Sequence, residues 1–101
     1  MKNNAMLIHE KDNVIVVLEA IEKNQNIVYT NSRGKQIMLS PLQSIPIYHK
    51  VSICPIHKNE VVLKYGERIG WATQDIAKGE WVHTHNLSSI ADDLERKDDA
   101  V

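Results

Sequence analysis

Two histidines one residue apart, His83 and His85, follow a tryptophan in the run Trp81-Val82-His83-Thr84-His85-Asn86. If this run is a strand, residues two apart leave the same face, so both imidazoles and the Trp81 ring point one way. Two imidazoles on one face can share a metal ion or bracket a carboxylate. Neutral imidazole nitrogen ligates iron, zinc, manganese or copper, but a metal site normally takes three or more protein groups, and this strand offers two. His9, His49 and His57 are candidates for a third, and spacing does not choose among them. A His-x-His strand also occurs as plain polar surface, and His57, inside a turn, reads as exposed decoration.

His49-Lys50 pairs a donor with a cation and suits an anion, or else a wet loop. In Lys64-Tyr65-Gly66-Glu67-Arg68, Lys64 and Arg68 could clamp a carboxylate, or Glu67 could bridge to one of them at the surface. No nucleophile elbow, phosphate loop or paired-cysteine metal signature is present in the sequence.

The elements that must position these residues repeat. Ile21-Glu22-Lys23-Asn24-Gln25-Asn26-Ile27, Ile56-His57-Lys58-Asn59-Glu60-Val61-Val62 and Ile76-Ala77-Lys78-Gly79-Glu80-Trp81-Val82 share one pattern: apolar, any, Lys, Asn or Gly, Gln or Glu, any, β-branched. Asn and Gly tolerate positive φ, so each copy predicts a bend followed by a strand. Only the third copy runs into the histidine pair.

From Leu7 to Asn86 short β-rich runs alternate with turns, which predicts a mostly β, barrel-like fold. Val14–Leu18 is continuously apolar and reads as a strand buried on both faces. Ile27–Thr30 and Gln36–Leu39 read as a hairpin across Asn31–Gly34, with further strands at Val51–Cys54 and Val61–Tyr65. Gly66 and Gly70 read as tight turns, and Pro41 to Pro46 as a crossing loop. Beyond Asn86, Ser88 or Ser89 could cap a short acidic helix with Ile90 and Leu94 on one face, or the segment is a tail.

With 101 residues, 43% of them hydrophobic, the chain suits one domain. Its 12 basic residues against 13 acidic ones lack the positive excess that phosphate-backbone binding needs, so nucleic acid is not an expected partner. No run is long and apolar enough for a bilayer and no signal-peptide pattern opens the chain, so the expectation is a soluble cytoplasmic protein with no membrane partner. Cys54, the one cysteine, sits in an apolar run and reads as a buried, inert thiol.

Several segments, taken in order, resemble one family. Ile8-His9-Glu10-Lys11-Asp12-Asn13-Val14, His49-Lys50-Val51, Lys64-Tyr65-Gly66-Glu67-Arg68-Ile69-Gly70 and Asp75 through Asn86 are similar to the N-terminal SAF domain of altronate and galactarate dehydratases. The resemblance spans residues 7–87, leaving 1–6 as a lead and 88–101 as an acidic helix or tail. It implies a β-clip fold, the twisted architecture shared with type III antifreeze proteins. It also implies a small subunit that works beside a large dehydratase subunit on a sugar-acid substrate, with a divalent metal, ordinarily iron, in the assembled enzyme.

The reaction implied is removal of the proton α to a carboxylate and loss of the β-hydroxyl, with the metal steadying the enediolate. Carried over by residue, His83 and His85 are the catalytic and metal-facing positions. His9, Asp12, Asn13, His49, Lys50, Lys64, Tyr65 and Asn86 are the substrate-binding ones. Asp12-Asn13-Val14 is closer to the sugar-acid dehydratases than to the sulfo-lyase. Tyr48 stands where the family has Gly before His-Lys, and Asn24 and Asn59 stand where it has Gly. The alternatives are the small subunit of a sulfolactate sulfo-lyase, or a non-catalytic module that binds a ligand or a protein. An apolar surface meant for a partner can also pair copies of an isolated chain.

Overall fold

The apolar run at Val14 organises the molecule. In the computed structural model, which describes residues 1–89, strand β2 (Val14–Val17) lies between two apolar cores. Alternation sends Ile15 and Val17 into one core with Ala5, Ile21, Ile27, Tyr29, Leu39, Ile45 and Val51. Val14 enters the other with Ile56, Val62, Ala72, Ile76 and Val82. The run thus buries Val14 on one face and Ile15 and Val17 on the other, with Val16 half-buried, whereas Leu18 begins a bend and is exposed.

Around β2 the described chain is built from strands, all paired antiparallel. The first sheet runs β1 (Ala5–Met6), β2, β5 (Lys50–Ser52), β8 (Trp81–Val82). A hairpin joins β3 (Ile27–Thr30) to β4 (Gln36–Leu39), and a third sheet runs β6 (Val61–Lys64), β7 (Glu67–Ala72), β9 (Leu87–Ser89). The predicted hairpin is therefore present. Gly66 turns the chain between β6 and β7 at φ +74°, but Gly70 is not a turn. It lies within β7, where a Cβ would run into the Ser88 carbonyl of the neighbouring strand.

The C-terminal helix is not seen: Ser88 and Ser89, its expected caps, lie in β9, and residues 90–101, with Ile90 and Leu94, lie outside the described residues. The lead read at 1–6 includes β1, which pairs with β2. Among the described residues no helix is long and apolar enough to cross a membrane.

The repeat has a fourth copy that the sequence hides. Ile21, Ile45, Ile56 and Ile76 each open a turn, and they pair as Ile21 with Ile45 and Ile56 with Ile76 through reciprocal backbone bonds of 2.7–2.9 Å. In all four turns the fifth residue's N–H donates to the second residue's carbonyl: Gln25 to Glu22, His49 to Pro46, Glu60 to His57 and Glu80 to Ala77, at 2.9–3.1 Å. The fourth position is left-handed in three of them, at Tyr48 (φ 67°), Asn59 (φ 76°) and Gly79 (φ 87°).

The fifth side chain closes the original three turns from the other side. Gln25 Oε1 accepts the Glu22 N–H at 3.3 Å, Glu60 Oε1 the His57 N–H at 2.8 Å and Glu80 Oε1 the Ala77 N–H at 3.0 Å. At the fourth turn the second residue is Pro46, which has no N–H. The fifth side chain, His49, is thereby released from the turn.

Candidate functional site

His49 is redirected onto β8. The antiparallel register pairs Lys50 with Val82 and Val51 with Trp81, so the chain just before Lys50 runs beside the chain just after Val82. This brings the His49 and His83 rings to 4.6 Å between centroids. The Trp81 ring stacks on His83 at 5.4 Å with an 8° interplanar angle and lies 5.1 Å from His85, tilted. Its Nε1–H donates to His49 Nδ1 at 3.1 Å. Three histidine rings are gathered around one indole.

The histidine run is not the strand expected: β8 ends at Val82, and His83 through Asn86 form a turn. The reason is Asn86, fully buried, whose Oδ1 accepts the His83 N–H at 2.9 Å while its own N–H donates to the His83 carbonyl at 3.1 Å. Its Nδ2 donates to the Trp81 carbonyl at 2.8 Å and to Glu80 Oε2 at 3.1 Å. Local side-chain bonds of this kind compete with strand pairing and here prevail. The imidazoles nevertheless both meet Trp81, by way of the turn rather than strand alternation.

Beside this cluster an open cleft of about 360 Å³ is lined by Lys50, His83, Thr84, Leu87 and Ser89. Burial, reinforced by the nearby Lys64 charge, lowers the Lys50 pKa from its ordinary value. The His83 pKa is also lowered, first by burial and then by His49, Lys50 and His85. His83 is therefore mostly neutral at neutral pH, set beside Lys50 in the cleft. The combination suits a carboxylate or another small anion.

The remaining expected site residues gather at the β6–β7 turn. Asp12, buried, accepts the N–H groups of His9 (3.1 Å) and Tyr65 (3.0 Å) on Oδ2 and that of Gly66 (2.7 Å) on Oδ1. Asn13 clamps β6 by accepting the Leu63 N–H at 2.8 Å and donating to the Val61 carbonyl at 3.0 Å. The His9 ring covers Gly66, and its Nδ1 accepts the Lys11 N–H at 3.1 Å. Lys64 Nζ lies 5.0 Å from the centroid of the exposed Tyr65 ring. Asp12 and Asn13 thus direct their polar atoms to the chain's own backbone, and Asn86 to backbone and the Glu80 carboxylate, so their effect on a ligand would be through the loops they hold.

Cys54 is half-buried, and burial and Glu60 hold its thiol above its ordinary pKa, with Lys78 opposing. Among the described residues no three or more His, Cys, Asp or Glu side chains are placed to hold a metal ion. Within the described residues His83 and His85 therefore have no third such donor placed to share a metal ion with them, and the indole lies against both rings.

Trp81, His49 and the histidine turn lie in the stretch of sequence that relates this chain to known proteins. Residues 3–90 match the altronate/galactarate dehydratase SAF domain. The chain belongs to this family. This SAF domain is 34% identical over 88 residues to the altronate dehydratase of Bacillus subtilis (strain 168), covering 87% of the chain but 17% of that enzyme. It is 32% identical over 75 residues to the galactarate dehydratase (L-threo-forming) of Escherichia coli (strain K12), covering 74% of the chain and 13% of that enzyme. Against the (2R)-sulfolactate sulfo-lyase subunit alpha of Chromohalobacter salexigens it is 31% identical over 86 residues, covering 82% of the chain and 92% of that subunit. The chain spans under a fifth of each of these two dehydratases and nearly all of the sulfo-lyase subunit.

Pro46 and His49 are the residues sequence reasoning did not connect. The available signal was the Ile45 spacing, obscured because Pro46-Ile47-Tyr48-His49 keeps none of the polar letters of the other copies.

Proposed function

We propose that this SAF domain is the small, substrate-contacting subunit of a lyase that eliminates a group next to the carboxylate-bearing carbon of a hydroxy acid, with water leaving a sugar acid such as altronate or galactarate. The observation that carries the reading is the cleft in which Lys50 and the neutral His83 face a common space beside the His49–Trp81 pair. Lys50 would hold the carboxylate. The unprotonated His83 nitrogen would take or relay a proton, and exposed His85 beside Trp81 would bind the substrate's hydroxyl groups. The strand arrangement accords with a β-clip.

Iron or another divalent metal in the assembled enzyme would need ligands from a large subunit, because the described donor set of this chain is incomplete. No proton-transfer role assigned above depends on it. The second reading, a sulfo-lyase small subunit, is favoured by the coverage of 92% of a free-standing relative. Its substrate would present the same carboxylate to Lys50, with sulfite rather than water leaving.

The test is to purify the tagged chain from its native cells with its bound partners, analyse metal, and assay elimination from altronate, galactarate and sulfolactate. A copurified large subunit with activity on a sugar acid is the expected result. Activity on sulfolactate alone would select the second reading, and a chain recovered alone, binding none of the three, would remove both.

A further inference from the structure

The geometry points to Trp81 as a positioning residue that fixes which nitrogen of His49 carries the proton. The Trp81 Nε1–H donates to His49 Nδ1 at 3.1 Å, so that nitrogen must present a lone pair. A neutral imidazole has one proton, and the hydrogen bond at one nitrogen decides that the proton sits on the other. His49 is thereby held as an Nε2–H donor, with its ring centroid 4.6 Å from that of His83. The His83 ring lies beside it at the edge of the cleft.

The chain reaches this arrangement by an exchange within its repeat. In the other three turns the fifth side chain accepts the N–H of the second residue, and Pro46 removes that N–H from the fourth. His49 is left to accept a bond from β8 instead. The same β8 residue is positioned through its own backbone, whose N–H donates to Gln43 Oε1 at 3.3 Å. Pro46, His49 and Trp81 form one device, and its consequence for the proposed lyase is a donor of fixed direction beside a base. This consequence rests on the functional reading above, whereas the tautomer itself does not.

The experiment is nitrogen-15 NMR of the histidine rings and indole protons in the isolated full chain, so it needs no substrate. In the wild type near pH 8, His49 should show a bare Nδ1 and a protonated Nε2, with the Trp81 indole proton protected from exchange. Trp81→Phe keeps an aromatic ring against His83 but removes the donor, and the His49 nitrogen shifts should move toward a mixture of the two tautomers. His49→Asn, which sets a side-chain oxygen near the place of Nδ1, should keep indole protection within about twofold, whereas His49→Phe should speed exchange about tenfold. Unchanged His49 shifts in a folded Trp81→Phe variant, or a wild-type Nδ1 that carries the proton, would overturn the inference. If the tautomer is as stated but the purified complex eliminates nothing from any hydroxy acid, the assignment of Trp81 holds and the lyase reading fails.

Discussion

The carboxylate of Asp12 accepts the backbone N–H of Gly66 at 2.7 Å, tying the loop before β2 to the turn between β6 and β7 across 54 positions of sequence. With Tyr65 and His9 it satisfies three backbone donors with one buried side chain. A carboxylate here does structural work that an amide does only in part, because the Asn NH₂ group would face N–H groups it cannot accept from. Asp12→Asn should therefore cost about 1–3 kcal/mol in urea unfolding and speed hydrogen exchange at Gly66. A loss under about 0.5 kcal/mol would contradict the structural role.

Glycines that share a backbone sign should differ in cost according to space. Gly34 (φ +79°) has nothing within 4 Å of the place an alanine Cβ would take, whereas at Gly79 (φ +87°) a Cβ would strike the Ser40 carbonyl. Gly34→Ala should lose only the conformational penalty, about 1–2 kcal/mol. Gly79→Ala should lose that plus about 1–3 kcal/mol of displaced backbone. Equal losses in paired denaturation curves would mean that the third repeat turn yields without resistance.

Tyr48 holds φ 67° at the turn position where Asn59 and Gly79 also sit left-handed, and its side chain is 67% exposed. A bulky residue there bears strain that few contacts of its own offset. Asn tolerates the conformation better, so Tyr48→Asn should raise stability by about 0.5–1 kcal/mol. A fall in stability would show that the phenol packs usefully after all.

Turn positions in three repeat copies, the β3–β4 hairpin and the two-faced burial of β2 were legible because each depends on neighbours in sequence: Lys-Asn or Lys-Gly steps, Asn31–Gly34, and an unbroken apolar run. The fourth turn was hidden because backbone bonding preserves it while Pro46 and Tyr48 replace its signature residues. The histidine run looked like a strand because alternation is visible in sequence and the three-way bonding of the Asn86 amide is not. Asp12 and Asn13 drew attention as polar residues in a family motif, and what they bond lies about fifty residues away.

Acid should weaken the fold partly through His83. Its pKa in the folded chain lies below the ordinary 6.5, so as pH falls through that value the unfolded chain takes up the proton more readily and stability declines. Well above 6.5 the ring is neutral in both states and contributes no slope. Between pH 7.5 and 5.5 the thermal midpoint of the wild type should therefore fall further than that of His83→Gln. Parallel curves, or a steeper fall in the variant, would mean that neither burial nor the neighbouring positive charges hold the His83 ring below its ordinary value.

Asn86 gives the sharpest test of how the histidine turn is held. Its Oδ1 faces a donor, the His83 N–H, while its Nδ2 faces two acceptors, the Trp81 carbonyl and the Glu80 carboxylate. Asn86→Asp keeps the shape and the first bond but sets an oxygen against those two acceptors in a fully buried place. Asn86→Ala instead leaves the groups unpartnered without opposing them. Both should be destabilising, and the aspartate should be worse than the alanine by about 1 kcal/mol or more near neutral pH, since its second oxygen would face two acceptors and no donor. Chemical denaturation of the two variants side by side decides it. An aspartate as stable as the wild type would mean that the Oδ1 bond alone shapes the turn and that the Glu80 and Trp81 contacts are incidental.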